Sequence, residues 1–261
     1  MTTLSEKYIA GFTDADGSIQ LMWRAIDRAD SDPSMRRAYL SLEWSQLAYR
    51  DDVLRQIRDQ NGGEITTSKC GKYSTLRFFG KPAEMLLYRI RNHMVVRRRY
   101  ADVVLEMVRK PVKVEAAKAY LKIQRRIPSG YMPNYPSRKW LAGYFDGDGC
   151  FACRLPRSRT SAQITAEISC AEYDSVGLRL LSKCFGGSLR NWVSPNNVEL
   201  CKWTLTMPPS KVDQFIGHFG KYSVVKKDQV DFLMGCAQIG HFRDGRYIKE
   251  RLSQLKHSRT D

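Results

Sequence analysis

At 261 residues, with 43% hydrophobic and 11% aromatic content, the chain is long enough for two ordinary domains with real cores. Forty-three Lys and Arg against 27 Asp and Glu leave a formal charge of +16, a surplus that points to a polyanionic partner, most often nucleic acid. No apolar run approaches the roughly 20 residues of a membrane span, and the first residues lack the features of a secretory signal. Seven scattered cysteines fit a reduced, intracellular protein, with organelle and prokaryotic cytoplasm left undistinguished. Cys150 and Cys153 form one CxxC, but in an apparent strand residues three apart face opposite ways, which argues against a shared zinc or a disulfide.

The first element is Tyr8-Ile9-Ala10-Gly11-Phe12-Thr13-Asp14-Ala15-Asp16-Gly17, a helix with a small Ala-Gly pair for close packing and a terminal glycine expected in the left-handed position. Ser18–Arg24 then alternates as a strand, with Ile19, Leu21 and Trp23 on one face and Ser18, Gln20, Met22 and Arg24 on the other. A breaker-rich loop is expected at 27–37. Tyr39–Ser45 follows as a strand with Leu40, Leu42 and Trp44 inward. Asp51 or Asp52 is placed to cap a helix ending before Gly62-Gly63. Strands Glu64–Lys69 and Tyr73–Phe79 turn at Gly71, Pro82 opens a helix to Ile90, and Met94-Val95-Val96-Arg97-Arg98-Arg99 leads into another helix through Val108. Residues 1–110 make the first unit, and 111–138 a breaker-rich linker with a helical piece at Glu115–Gln124.

Residues 139–261 replay that order. Trp140-Leu141-Ala142-Gly143-Tyr144-Phe145-Asp146-Gly147-Asp148-Gly149 repeats the opening helix about half the chain later. Phe151, Cys153 and Leu155 alternate with Cys150, Ala152, Arg154 and Pro156. Gln163–Ser169 matches Tyr39–Ser45, Gly186-Gly187 matches Gly62-Gly63, and Val224-Val225-Lys226-Lys227 matches Val95-Val96-Arg97-Arg98. A C-terminal helix, Arg246–His257, has no apparent counterpart. The predicted class is α+β: two pseudo-symmetric αββαββα repeats, each an antiparallel saddle packed on helices.

The acids of the repeated helix are electrostatically misplaced. A helix C-terminus carries partial negative charge, and if the two helices pack together Asp16 and Asp148 also repel one another. A hard divalent cation with oxygen ligands resolves both conflicts. Asp14 and Asp146 are expected to bond locally at the helix end instead. Basic runs at the starts of two helices, Arg97–Arg99 and Lys226–Lys227, oppose the dipole and suggest an anionic ligand there. The sheet face away from the helices carries Ser18, Gln20, Met22, Arg24, Glu43, Thr66, Ser68, Tyr73, Thr75 and Arg77 in one half. The other half offers Arg154, Gln163, Thr165, Glu167, Ser188, Arg190, Lys202 and Thr204. Arg, Lys, Gln and Glu can read base edges in a major groove that admits a β-ribbon, so these are the candidate contacts to double-stranded DNA.

The two blocks resemble the signature helices of the LAGLIDADG homing endonucleases in their single-chain, two-repeat form. The resemblance implies a monomer acting as a pseudo-dimer, with the signature helices at the repeat interface and site-specific cleavage of both strands of a long, asymmetric duplex. It places the metal acids on Asp16 and Asp148, with the carbonyls of Ala15 and Gly147 as further ligands. Mg²⁺ is the implied cofactor; Mn²⁺ or Ca²⁺ would take the same sites, Ca²⁺ without cleavage. The family's pocket lysine falls on Lys226 and, in the first half, on Arg97; its water-ordering polar residue falls on Gln46 and, in the second half, on Cys170. These departures imply unequal chemistry in the two halves. The family also includes maturases, so an intron-RNA-binding role is the alternative reading, and a non-cleaving DNA-binding protein is a third.

Overall fold

Two helices of like sequence meet at the centre of the molecule. In this computed structural model, which describes residues 3–25, 35–155, 163–239, 242 and 244–257, α1 (Glu6–Asp16) packs along α6 (Arg138–Asp148). The Ala-Gly pair is what permits it: a Cβ on Gly11 would overlap the Trp140 carbonyl, and one on Gly143 would overlap that of Tyr8. The backbones therefore touch directly at these two positions. Ser5 caps α1, its hydroxyl accepting from Tyr8 N at 3.3 Å.

Each helix feeds an antiparallel sheet. The first contains β1 (Ser18–Ala25), β2 (Met35–Leu47), β3 (Glu64–Thr67) and β4 (Tyr73–Phe79) in the order β1-β2-β4-β3. The second contains β6 (Gly149–Arg154), β7 (Gln163–Ala171), β8 (Ser188–Val193) and β9 (Glu199–Met207) in the order β6-β7-β9-β8. Register is set by alternation: Leu40, Leu42 and Trp44 are buried against the helices, as are Ile164, Ala166 and Ile168 at the matching positions. The connecting helices are α2 (Asp52–Asn61), α3 (Lys81–Ile90) and α4 (Arg98–Met107) in one half, and α7 (Val176–Phe185), α8 (Pro209–Gly217) and α9 (Lys227–Gln238) in the other. The α+β, two-repeat expectation is met. Among the described residues no helix is long and apolar enough to cross a membrane.

Three local expectations change. Gly17 and Gly149, with φ of −71° and −72°, are extended and not left-handed. Glycine is needed there because a Cβ would press on the Thr13 carbonyl or on the Phe145 ring and carbonyl. Left-handed glycines close α2 and α7 instead, Gly62 at 81° and Gly186 at 74°. Asp51 stands at the N-cap of α2, yet its carboxylate binds Arg55 at 2.7 and 3.0 Å and caps no backbone N–H. The expected loop at 27–37 lies mostly outside the described residues, and its last three residues belong to β2. They pair with β5 (Pro111–Lys113), an edge position that tolerates proline.

The C-terminal helix does have a counterpart. α5 (Val114–Arg125) follows α4 in the first repeat as α10 (Gly245–His257) follows α9 in the second. α5 packs on α4 and β5, and α10 packs on α9 and β6. The sequence concealed this because the two helices share no residue pattern.

Candidate active site

Asp14 and Asp146 are buried acids with many partners. The Asp14 carboxylate accepts from the backbone N–H groups of Val95 (2.7 Å), Val96 (3.1 Å) and Arg97 (2.9 Å), and from the Trp140 indole at 2.9 Å. Asp146 accepts from Val224 N (2.6 Å), Val225 N (3.1 Å), Lys226 N (3.2 Å), the Ser223 hydroxyl (2.5 Å) and the Tyr8 hydroxyl (2.6 Å). The structural role expected for these acids is there, but the bonds are long-range. They tie each signature helix to the start of α4 or α9 in its own repeat and to an aromatic of the other repeat. The same contacts answer the basic runs at those helix starts. The anion that satisfies the N–H groups is supplied by the protein itself.

Two residues further on, Asp16 and Asp148 sit at the joined C-terminal ends of α1 and α6. Gly147 lies flush against Ala15 and Asp16, where a Cβ would strike Ala15. Burial raises the Asp16 carboxyl above its ordinary value, opposed by Lys226, a hydrogen bond from Gln46 and Arg97. Asp148 is pushed from 3.8 to about 6, first by burial and then by Asp16, with Arg97 and Lys226 opposing. Among the described residues no hydrogen bond reaches the Asp148 carboxylate. Burial of the Lys226 ammonium lowers its pKa. Its Nζ donates to the Asp146 carbonyl and, at 3.5 Å, to the Gly147 carbonyl. Arg97 donates to the carbonyls of Gly17 and, at 3.4 Å, Ala15. Both cations thus serve carbonyls that α1 and α6 leave without intrahelical partners.

The grouping crosses the repeats. Gln46 and Asp16 of the first repeat share an open cleft of about 340 Å³ with Lys226, Gly147 and Lys256 of the second, and with Arg50. A small recess instead joins Ser18, Tyr100, Arg97 and Arg125 of the first repeat to Asp174 of the second. Asp174 reaches Arg97 at 3.7 Å and lies near the Cys170 thiol, while Asp148 lines the Lys226 cleft and feels the charge of both Arg97 and Lys226. Burial raises the Cys170 thiol far above the normal range, so it stays protonated. The sequence pairs Arg97 with Gln46 and Lys226 with Cys170; the structure brings Gln46 into the cleft of Lys226 and links Cys170 to Arg97 through Asp174. Arg50 and Asp174 occupy matching places, each ending a short 3₁₀ turn after β2 or β7, so one side carries a base where the other carries an acid.

On the outer sheet faces, Gln20, Met22, Arg24, Thr66, Tyr73, Arg154, Ser188 and Arg190 are exposed, and Ser18, Thr75, Arg77, Gln163, Lys202 and Thr204 are half-buried. Glu43 is engaged by Arg77 at 2.8 and 3.0 Å, and Glu167 by Arg154 at 2.9 Å and by Lys202. The carboxylates therefore first orient neighbouring bases. Ser68 lies just past β3, its hydroxyl accepting from Tyr73 N at 3.0 Å to hold the hairpin. Thr165 is fully buried with its hydroxyl on the Ala152 carbonyl, so it is not offered outward. Arg37, Ser45, Trp192 and Thr206 are exposed on the same faces and were missed. Carrying the alternation to the strand ends would have found them. Lys256, Arg125, Arg50 and Asp174 had no sequence signal, since each reaches its pocket only through long-range packing.

Residues 141–238 match the family model described as LAGLIDADG endonuclease. No curated protein sequence matches the chain at a significant level. In fold it resembles the LAGLIDADG homing endonuclease I-GzeII in complex with its DNA target, with 16% identity, a TM-score of 0.66 and 97% of each chain covered. It also resembles I-LtrWI bound to target DNA (13% identity, TM-score 0.67, 96% of each chain). I-SmaMI bound to an uncleaved DNA target with calcium ions is a third (15% identity, TM-score 0.65, 97% of this chain and 98% of that one).

Proposed function

We propose that this chain, two LAGLIDADG repeats in one polypeptide, is a site-specific DNA endonuclease that hydrolyses both strands of a long, asymmetric duplex. The observation that carries the reading is the placement of Asp16 and Asp148. Two half-buried carboxylates meet at two helix C-termini, where partial burial and, at Asp148, the neighbouring acid oppose their ionisation. That donor set fits a hard divalent cation, which would neutralise the repulsion. Asp16 and Asp148, with the carbonyls of Ala15 and Gly147, would hold Mg²⁺. When bound, such a metal lowers the pKa of water and neutralises charge on the attacked phosphate.

The chain's own residues do the rest. Gln46 fixes the orientation of Asp16. Lys226, anchored on the Asp146 and Gly147 carbonyls, directs positive charge into the cleft, and its lowered pKa suits it to move a proton. Arg97 supplies charge but no titration near neutral pH, and part of that charge is met by Asp174. The protonated Cys170 thiol is a weaker hydrogen-bonding group than the Gln46 amide. The Lys226 side is therefore the faster pocket. The outer sheet faces, which differ between the repeats, would read an asymmetric site along the groove.

Selection of cleaved duplexes from a randomised library with Mg²⁺ would deliver the target. On that duplex, Asp16→Asn and Asp148→Asn each abolish double-strand cleavage while DNA affinity without divalent ions stays close to the parent's. A parent protein that cuts nothing in the library, or a variant that linearises the target at the parent rate, overturns the reading.

A further inference from the structure

Each repeat ends in a helix that runs back to the mouth of a pocket, and in each the last turn delivers a base. Arg125, the final residue of α5, lines the recess with Ser18, Arg97 and Asp174. Lys256, in the last turn of α10, lines the cleft with Cys150, Asp16 and Lys226. Ser18 and Cys150 are equivalent, each following the terminal glycine of its signature motif.

Both helices are held in place. Ala117 and Leu121 bury α5, and Arg99 donates to the Gln124 side chain at 3.3 Å. Ile248, Leu252 and Leu255 bury α10. Its start receives a hydrogen bond from Cys153 Sγ to the Gly245 carbonyl at 3.4 Å, and Arg50 donates to the Leu255 carbonyl. Arg125 and Lys256 are exposed, and among the described residues neither makes a direct ion pair, although the charge of Arg125 favours the ionised form of Asp174 across the recess. Lys256 Nζ stands 4.0 Å from Cys150 Sγ. A base in a last helical turn complements the helix dipole. That does not explain why two helices of unrelated sequence each bring one to the corresponding edge of a pocket.

We propose that Arg125 and Lys256 are an equivalent pair of phosphate-positioning residues, one for each pocket. Each binds the DNA backbone beside the bond cut there and fixes it for in-line attack. The proposal rests on the endonuclease reading above and adds two positions and a division of labour between the strands. A cation that positions one phosphate contributes to one strand's rate. A general backbone contact weakens binding as a whole and leaves the strand ratio alone.

The test uses the full chain and the duplex the parent selects, with each strand carrying its own label, in single-turnover cleavage with Mg²⁺. Lys256→Ala slows one strand by about tenfold relative to the other, the same strand that Lys226→Met slows. Arg125→Ala slows the opposite strand, the one slowed by Arg97→Met. Lys256→Arg and Arg125→Lys retain the parent ratio, and all four melt like the parent. An unchanged strand ratio, an equal loss on both strands, or both alanine variants acting on the same strand overturns the proposal. A parent that cleaves no duplex removes the endonuclease reading itself, a separate outcome.

Discussion

Asp14 and Asp16 are two residues apart on one helix, one buried and the other half-buried, and they differ above all in what surrounds them. Asp14 has a hydrogen bond for nearly every lone pair it directs inward. Asp14→Ala leaves three backbone N–H groups and an indole without that acceptor. At about 1–3 kcal/mol for each orphaned donor, it lowers the urea midpoint by the equivalent of several kcal/mol. A midpoint within error of the parent's would remove Asp14 from its structural role. Asp148 behaves in the opposite way. Its folded-state pKa of about 6 lies above the ordinary 3.8, so its ionisation opposes folding. The penalty is absent below about pH 4, develops as pH rises to about 6, and is full above that. The interval corresponds to at most about 3 kcal/mol. Without divalent ions, Asp148→Asn therefore melts a few degrees above the parent at pH 8, and the gain disappears near pH 4. A gain that is constant with pH would mean the effect is not electrostatic.

The signature helices depend on contact between backbones, and the sheets depend on alternation. Gly143→Ala puts a methyl group into the Tyr8 carbonyl and the Phe12 amide, which no side-chain rotation can relieve. It lowers the melting temperature by well over the shift of an alanine at the half-buried Gly235, where a Cβ meets nothing within 4 Å. Equal shifts would mean the helices do not touch there. On the sheet, Arg77 is steered by Glu43 and Arg154 by Glu167. Replacing either arginine by Ala relaxes preference at particular base pairs by roughly 1–3 kcal/mol in a binding-site selection. Uniform weakening across all sequences would mark them as phosphate contacts only.

At the scale of the whole molecule, the pseudo-dimer exchanges parts across its axis. Neither repeat owns a pocket: Gln46 and Asp16 share a cleft with Asp148 and Lys226, and Cys170 meets Arg97 through Asp174. Arg97, Cys170 and the acid Asp174 consequently fall on one side. Strand-resolved cleavage of the selected duplex should show that side cutting more slowly. Arg97→Lys combined with Cys170→Gln and Asp174→Arg should bring the two strand rates together. A parent that cuts both strands equally fast contradicts this asymmetry.

The sequence by itself determined the repeat, the two like helices, the inward faces of the strands and the place of the two acids at the helix ends. Each is written in local patterns: the spacing of small and aromatic residues in α1 and α6, period-two alternation in β1, β2 and β7, and glycine pairs after α2 and α7. It mistook two features whose partners are distant. The basic helix starts read as a vacant anion site because the carboxylates that fill it lie about 80 residues away. The C-terminal helix read as unique because its likeness to α5 lies in position alone. Only the tertiary structure decided which residues share a pocket. Pocket membership follows from how two rigid repeats cross at Gly11 and Gly143, and no pattern confined to one repeat encodes that crossing.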